Sequence, residues 1–179
     1  MTKIALIIGS LSRASINRTV AQHLAAQAPE GVVVEEVQIG DLPLYTQDLD
    51  SESIPAYERV RAQLQAADAV LIVSPEHNRS MPAAVKNLLD IASRPAGKSL
   101  WGGKKTAVIT ASPGSYGGIN SGLHIRQSLQ AMSADVVIAP EVFLSRAHTA
   151  LADGQVSDAR TAAFLNKFAA AFYAWAQAE

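Results

Sequence analysis

Short apolar runs alternate along the chain with longer segments whose apolar residues recur every three or four positions. A continuous apolar run is typical of a strand buried on both faces, and the wider spacing is typical of a helix with one buried face. The predicted strands are Lys3–Ile8, Val32–Gln38, Ala69–Ser74, Thr106–Ala111 and Val136–Ala139.

A segment of helical periodicity follows each predicted strand. Pro55 and Pro82 stand before two of these segments, where proline fits the first helical turn. The last segment carries an aromatic stripe that we interpret as core. The apolar positions of the five segments are Ile16, Val20, Leu24 and Ala28; Val60, Leu64 and Ala67; Val85, Leu88, Leu89 and Ala92; Leu123, Leu129 and Met132; and Phe164, Leu165, Phe168, Phe172 and Trp175.

Five strands in alternation with five helices predict an α/β fold, a doubly wound parallel sheet with helices on both faces. With right-handed crossovers we expect the strand order 2-1-3-4-5. Such a sheet binds its ligand beyond the carboxyl ends of the strands, where the winding direction reverses between strands one and three. The loops that leave the first, third and fourth strands should therefore meet at one site.

Composition and charge narrow the class of protein. The chain has 179 residues, 49% of them hydrophobic and 17% charged, which favours one buried core and a single domain over residues 1–179. The net charge of −1 argues against a nucleic-acid partner, and no apolar run approaches the ~20 residues of a membrane-spanning helix. Because cysteine is absent, a disulfide framework and a thiolate nucleophile are excluded. We expect a cytoplasmic protein.

The loop after the first predicted strand is rich in hydroxyl groups. Ser10–Asn17 places short donors at the start of a helix, an arrangement that holds a phosphate. It lacks the glycine spacing of a Rossmann fingerprint and the Gly-Lys-Ser/Thr of a Walker loop. Donors with little cationic charge suit a single terminal phosphate, and flavin mononucleotide (FMN) is the commonest cofactor with one. Alternatively, Ser15 or Asn17 only caps the helix, and the residues alone leave both interpretations open.

The loops after the third and fourth strands have compositions suited to a flat ring. The segment Ser74–Pro82 contains two prolines that restrict its backbone, and Asn78 can donate and accept hydrogen bonds at a pyrimidine edge. The segment Ser112–Gly118 contains glycines that permit close approach to a ring face, and Tyr116 offers an aromatic surface. The long loop Gly40–Ile54 is of a length that is often functional.

Taken together, these motifs resemble those of the NAD(P)H-dependent FMN reductases, which include chromate- and quinone-reducing enzymes. The motifs are Gly-Ser with a later Ser-x-Asn, Pro-Glu-His-Asn-x-Ser-x-Pro with Lys-Asn, and the glycine-rich third loop. The resemblance implies a flavodoxin-like fold that binds FMN non-covalently and takes electrons from NADPH or NADH. The residues implied for the phosphate are Ser10, Ser12, Arg13, Ser15, Ile16 and Asn17; those for the ring system are Pro75, Glu76, His77, Asn78, Ser112, Gly114 and Ser115.

The implied chemistry needs no catalytic side chain, because the flavin supplies the redox step and the protein supplies position and electrostatics. A backbone N–H of Gly114 or Ser115 near flavin N5 would stabilise the reduced, partly anionic ring. Arg79 is predicted to attract nucleotide phosphates or an anionic acceptor, and Tyr116 to contact substrate. The expected acceptors are small molecules: quinones, free flavins, azo compounds or chromate. No metal site is expected.

The sequence leaves two other functions open, and it leaves two interpretations open for several side chains. A flavodoxin-type electron carrier would share the fold and the cofactor, but such carriers are usually strongly acidic and this chain is nearly neutral. A phosphoester or acyl hydrolase could also use a serine-rich loop, but no Gly-x-Ser-x-Gly elbow follows a predicted strand. His77 is either a proton donor or an ordinary surface residue. Arg126 and Glu141 resemble positions that form subunit contacts in the family, which implies a homodimer or homotetramer; alternatively they are two solvated charges.

Overall fold

A parallel β-sheet forms the centre of the protein in the computed structural model, which describes residues 1–136 and 140–178. Its order is β2-β1-β3-β4-β5, and a sixth strand, β6, pairs with the carboxyl half of β4. This confirms the predicted order 2-1-3-4-5. The strands are β1 (Thr2–Ile8), β2 (Val32–Glu36), β3 (Ala69–Ser74), β4 (Lys105–Ala111), β5 (Asp135–Val136) and β6 (Val142–Leu144).

Five helices cover the two faces of the sheet. Helices α1 and α5 pack on one face, and α2, α3 and α4 pack on the other. Successive residues of β1 enter opposite cores, with Leu6 on the α1 side and Ile7 on the α3 side, as expected for a strand buried on both faces. Within the described residues no helix is long and apolar enough to cross a membrane. The helices are α1 (Ile16–Ala25), α2 (Pro55–Ala66), α3 (Ala83–Ser93), α4 (Ile119–Ala131) and α5 (Ala159–Gln177).

The edge strands differ from the prediction. β2 ends at Glu36, two residues before the predicted end, although the Val37 N–H still donates to the Leu6 carbonyl at 2.9 Å. The fifth strand begins at Asp135, one residue before the predicted start, and the predicted residues 137–139 lie outside the described part of the chain. β6 was not predicted, because three residues are too few to show periodicity.

A small hairpin, β7 (Leu151–Ala152) and β8 (Gln155–Val156), was also missed. Its two-residue turn, Asp153-Gly154, has positive φ angles of 50° and 73°, as a type I′ turn requires. Asp-Gly is a recognised sequence signal for this turn. The hairpin packs against α1, the helix that begins at the first loop.

The aromatic stripe of α5 is largely core, as predicted. Leu165, Phe168 and Phe172 are at most 2% exposed, whereas Phe164 is 40% exposed, so its placement in the core was wrong. Phe164 directly precedes Leu165, and neighbouring residues on a helix point about 100° apart. The α5 core extends to Tyr173, whose hydroxyl donates to a carbonyl of α1 at 2.9 Å and whose burial raises its pKa to about 12.

Candidate flavin site

Three loops meet at the carboxyl edge of the sheet: the first loop (residues 9–15), the second loop (75–82) and the third loop (112–118). The first loop touches the end of β3, because a Cβ at Gly9 would lie 2.6 Å from Ser74 Oγ. The first loop also reaches the end of β4 through α1, where Asn17 Nδ2 donates to the Ala111 carbonyl at 3.1 Å. The second and third loops meet where Arg79 stacks on Tyr116. The predicted convergence is observed.

The first loop ends in an open helix N-terminus. Ser15 is the N-cap of α1, and its Oγ accepts the Arg18 N–H at 3.1 Å, so the capping interpretation is confirmed for this serine. The N–H groups of Ile16 and Asn17 find no acceptor in the part of the chain that the structure describes. Two unpaired amides at the positive end of a helix are suited to an oxyanion such as a phosphate.

The remaining predicted phosphate residues differ in exposure. Ser12 and Arg13 are exposed, Ser10 is half-buried, and the Ser12 N–H lies 3.4 Å from Ser10 Oγ. The Asn17 side chain is buried with its residue 3% exposed, and its Oδ1 has no partner among the described residues. A buried amide oxygen without a donor fits a site where a further polar group is bound.

An ion pair that the sequence analysis missed fixes α1 beside the first loop. Arg18 donates from both terminal nitrogens to the Glu36 carboxylate, at 2.7 and 2.8 Å. These hydrogen bonds lower the pKa of Glu36 and raise the pKa of Arg18. Because Glu36 is the last residue of β2, the pair sets the direction in which α1 leaves the sheet.

A tight turn forms the tip of the second loop. His77 and Ser80 exchange two backbone hydrogen bonds of 3.0 and 2.9 Å, with Asn78 and Arg79 between them at φ angles of 48° and 66°. Two successive positive φ angles define a type I′ turn. The Ser80 hydroxyl lies 3.0 Å from His124 Nδ1 on α4, so α4 holds the turn in place. The sequence analysis did not single out His124.

Glu76 joins the second loop to the start of α4. Its Oε2 accepts the N–H groups of Asn120 and Ser121, at 2.9 and 3.2 Å. A carboxylate is favourable at the positive end of a helix. The side chain of Glu76 therefore ties the second loop to α4. Its backbone remains available for the predicted contact with the ring.

We expect Glu76→Ala to lower the free energy of unfolding by about 1–2 kcal/mol, because two amides of α4 lose their acceptor. Glu76→Gln keeps one acceptor oxygen and should cost less. Urea denaturation measures both values. Glu30→Ala, at an exposed position with no side-chain hydrogen bond among the described residues, is the control; an equal effect of Glu30→Ala and Glu76→Ala would contradict the cap.

The backbone after β6 clamps the third loop. The Ser112 N–H donates to the Leu144 carbonyl at 3.0 Å, the Arg146 N–H donates to the Gly114 carbonyl at 2.9 Å, and the Ala147 N–H donates to the Ser112 carbonyl at 3.0 Å. The position of the loop is thus set by chain that follows the sheet.

The clamp leaves one of the two predicted N5 donors available. The Gly114 N–H donates to Ser112 Oγ at 3.1 Å, whereas the Ser115 N–H has no acceptor among the described residues. Further along the loop, the Thr110 hydroxyl donates to the Gly117 carbonyl at 2.7 Å. Ser115 and Tyr116 are therefore exposed between loop positions that hydrogen bonds hold in place.

Asn87 of the Lys-Asn motif anchors the long loop 40–54. Its Oδ1 accepts the Tyr45 N–H at 2.8 Å, and its Nδ2 donates to the Pro43 carbonyl at 2.9 Å. The same carbonyl accepts the Tyr57 hydroxyl at 3.0 Å. This buried amide therefore ties residues 43–45 of the loop to α3, before the short 3-10 turn at Gln47–Leu49.

Arg126 and Glu141 contact each other within the chain. Arg126 donates to Glu141 at 3.2 Å and to the Val108 carbonyl at 3.2 Å. Arg126 is 8% exposed, and its burial lowers its pKa, so the interpretation as two solvated charges is wrong for Arg126. Their part in a subunit contact stays a prediction.

The strand order defines a flavodoxin-like protein, and the open N-terminus of α1 with the two converging loops is its candidate site for a mononucleotide. The profile of the NADPH-dependent FMN reductases matches residues 2–149. The chain belongs to the NADPH-dependent FMN reductase family, whose members are oxidoreductases that use FMN with NAD(P)H as electron donor.

Individual relatives cover nearly the full chain. A quinone reductase from Pseudomonas putida is 41% identical over 173 residues, which are 96% of this chain and 93% of the relative. A 2-hydroxy-1,4-benzoquinone reductase from Burkholderia sp is 39% identical over 97% of this chain and 95% of the relative. The solved structure of a flavoenzyme NAD(P)H:(acceptor) oxidoreductase from Paracoccus denitrificans superimposes with a TM-score of 0.90 at 34% identity, covering 99% of this chain and 98% of that chain.

Proposed function

We propose that the protein oxidises NADPH or NADH and reduces quinones through FMN bound where the three loops meet. The observation that carries this proposal is the convergence of the three loops at one sheet edge: Gly9 packs on the end of β3, Asn17 of α1 bonds to the end of β4, and Arg79 of the second loop stacks on Tyr116 of the third. Similarity to quinone reductases supports the acceptor. Free flavins, azo compounds and chromate are further candidate acceptors.

The first loop would hold the phosphate of FMN. The N–H groups of Ile16 and Asn17 and the hydroxyls of Ser10, Ser12 and Ser15 supply donors, and Arg13 adds a positive charge at an exposed position. Charge-assisted hydrogen bonds of this kind are roughly twice as strong as neutral ones. Because the Ser15 Oγ already accepts from Arg18, its hydrogen remains for the phosphate.

The second and third loops would hold the ring system. The backbone of residues 75–78 and the Asn78 amide would contact one edge of the ring, and Ser112, Gly114 and the Ser115 N–H, which has no acceptor among the described residues, would border the other side. FMN, when bound, supplies the acceptance and release of hydride. The chain itself positions the ring and offers the Ser115 N–H where negative charge develops.

No side chain is assigned as a catalytic acid, base or nucleophile. Arg79 and Tyr116 are proposed as substrate contacts at the mouth of the site, where each side chain is exposed. A homodimer or homotetramer and a cytoplasmic location stay predictions.

The decisive experiment is an anaerobic titration of the purified protein. We expect a yellow protein that NADH or NADPH bleaches and that a quinone re-oxidises. FMN should bind more tightly than riboflavin, which lacks the phosphate that the first loop is proposed to hold. A yellow protein that neither nucleotide reduces would support an electron carrier, and a colourless protein that takes up no FMN would exclude the proposed function.

A further inference from the structure

Arg79 presents an exposed cation on an aromatic surface. Its guanidinium carbon lies 4.6 Å from the centre of the Tyr116 ring, and its side chain is 63% exposed. A stacked guanidinium keeps its N–H donors in the plane and directed outward, which suits two acceptor oxygens at once. Together the two side chains offer a flat apolar face beside a guanidinium that can donate two hydrogen bonds to one anion.

The backbone holds Arg79 in a conformation that favours glycine. Its φ angle is 66°, and a non-glycine residue in this region costs of order 1 kcal/mol or more. The turn is held by the two backbone hydrogen bonds between His77 and Ser80 and by the contact of Ser80 with His124. The turn therefore fixes the point from which the Arg79 side chain extends over Tyr116.

The charge of Arg79 is only weakly balanced. Among the described residues one carboxylate, that of Glu76, lies within ion-pair distance, at 3.9 Å. The other oxygen of Glu76 accepts two amides of α4, so its negative charge is shared with that helix terminus. The histidines beside the turn, His77 and His124, contribute no negative charge. An anion at the mouth therefore meets a cation that Glu76 neutralises only in part.

We propose that this site prefers quinones carrying an ionised hydroxyl or carboxylate group over neutral quinones, an inference that rests on the proposed function. In a 2-hydroxyquinone the ionised oxygen and the adjacent carbonyl form a two-oxygen acceptor for Arg79, while the ring lies near Tyr116. The reaction balances as for any quinone: NAD(P)H gives up a hydride, which carries two electrons and one proton, and the second proton comes from water, so that the quinone becomes the hydroquinone.

The test compares kcat/KM for 2-hydroxy-1,4-naphthoquinone, an anion at neutral pH, with that for 2-methoxy-1,4-naphthoquinone, a neutral analogue. We expect Arg79→Gln to lower the anionic-to-neutral ratio about tenfold, the loss typical of a charged hydrogen bond. Arg79→Lys, which keeps the charge but not the fork, should lower it about threefold. The ratio cancels differences in flavin content between preparations.

Two controls separate the possible causes. Arg160→Gln removes an exposed cation from the first turn of α5 and should leave the ratio unchanged. Raising the ionic strength should lower the ratio for the wild type, because exposed charges are screened, and this measurement needs no variant.

The outcomes distinguish the two proposals. If the wild type reduces neither quinone, the proposed function fails. If it reduces both, the preference for anions is overturned by a ratio that is insensitive to both salt and Arg79→Gln. It is also overturned if the variant raises the KM for the nicotinamide nucleotide while the quinone ratio stays constant.

Discussion

Gly9→Ala is expected to lower the free energy of unfolding by about 2–3 kcal/mol and to weaken FMN binding about tenfold or more. The new methyl group would lie 2.6 Å from Ser74 Oγ and 2.8 Å from Val85 Cγ2. Gly9 is buried at the start of the first loop, and although rotation of Ser74 would remove the contact with Oγ, Ser74 Cβ lies 3.0 Å away, so full relief requires β3 or α3 to shift. Either movement separates the first loop from the second. Urea denaturation and fluorescence titration with FMN measure the two effects.

Gly102→Ala is the matched control for this substitution, because a Cβ there has no neighbour within 4 Å. It should change neither measurement appreciably. In the double variant Gly9→Ala/Ser74→Ala the 2.6 Å contact with Oγ is gone but the contact with Val85 remains, so we expect partial recovery. A Gly9→Ala protein as stable as the wild type, with unchanged FMN affinity, would contradict the close packing of the first loop against β3 and α3.

Gly117→Ala is expected to cost about 3 kcal/mol, from backbone strain and from a clash together. Gly117 has a φ angle of 63°, and a Cβ would lie 2.7 Å from the Phe143 carbonyl oxygen and 2.8 Å from its carbon. Since both neighbours are backbone atoms of β6, no side-chain rotation relieves the contact. The third loop must shift, and we expect weaker binding of riboflavin as well as FMN, because this loop is proposed to contact the ring that both share. Denaturation and flavin titration test this.

Gly97→Ala isolates the strain from the clash. Gly97 has a similar positive φ angle of 79°, but a Cβ added there would meet no atom within 4 Å, so the substitution should cost about 1 kcal/mol. The difference between the two variants reports the close approach of the third loop to β6. Equal costs for the two would refute that approach.

The central strands could be predicted because their signal is local. β3 coincides with its predicted bounds, and β1 and β4 each begin one residue earlier, since continuous apolar runs record burial on both faces. β6 and the hairpin β7–β8 consist of strands of three and two residues, which show no periodicity. Their positions depend on pairing with β4 and on packing against α1.

The candidate site divides in the same way. The open N-terminus of α1 was predictable because its donors are adjacent in the sequence. The two amides that donate to Glu76 lie 44 and 45 residues from it, and the partner of Asn87 at Tyr45 lies 42 residues away. Such contacts depend on the paths of loops, which a single sequence does not specify. His124 was overlooked for the same reason, since its partner Ser80 is 44 residues distant.

The clamp on the third loop determines how much of the chain a truncated form must keep. The loop is fixed by Leu144, Arg146 and Ala147, all of which lie within the segment 2–149 that the family shares. A fragment ending at α4 would retain the first loop, proposed to hold the phosphate, and lose the brace on the third loop, proposed to contact the ring. Transplanting this pocket onto another flavodoxin-like scaffold therefore requires the residues after the sheet as well as the three loops.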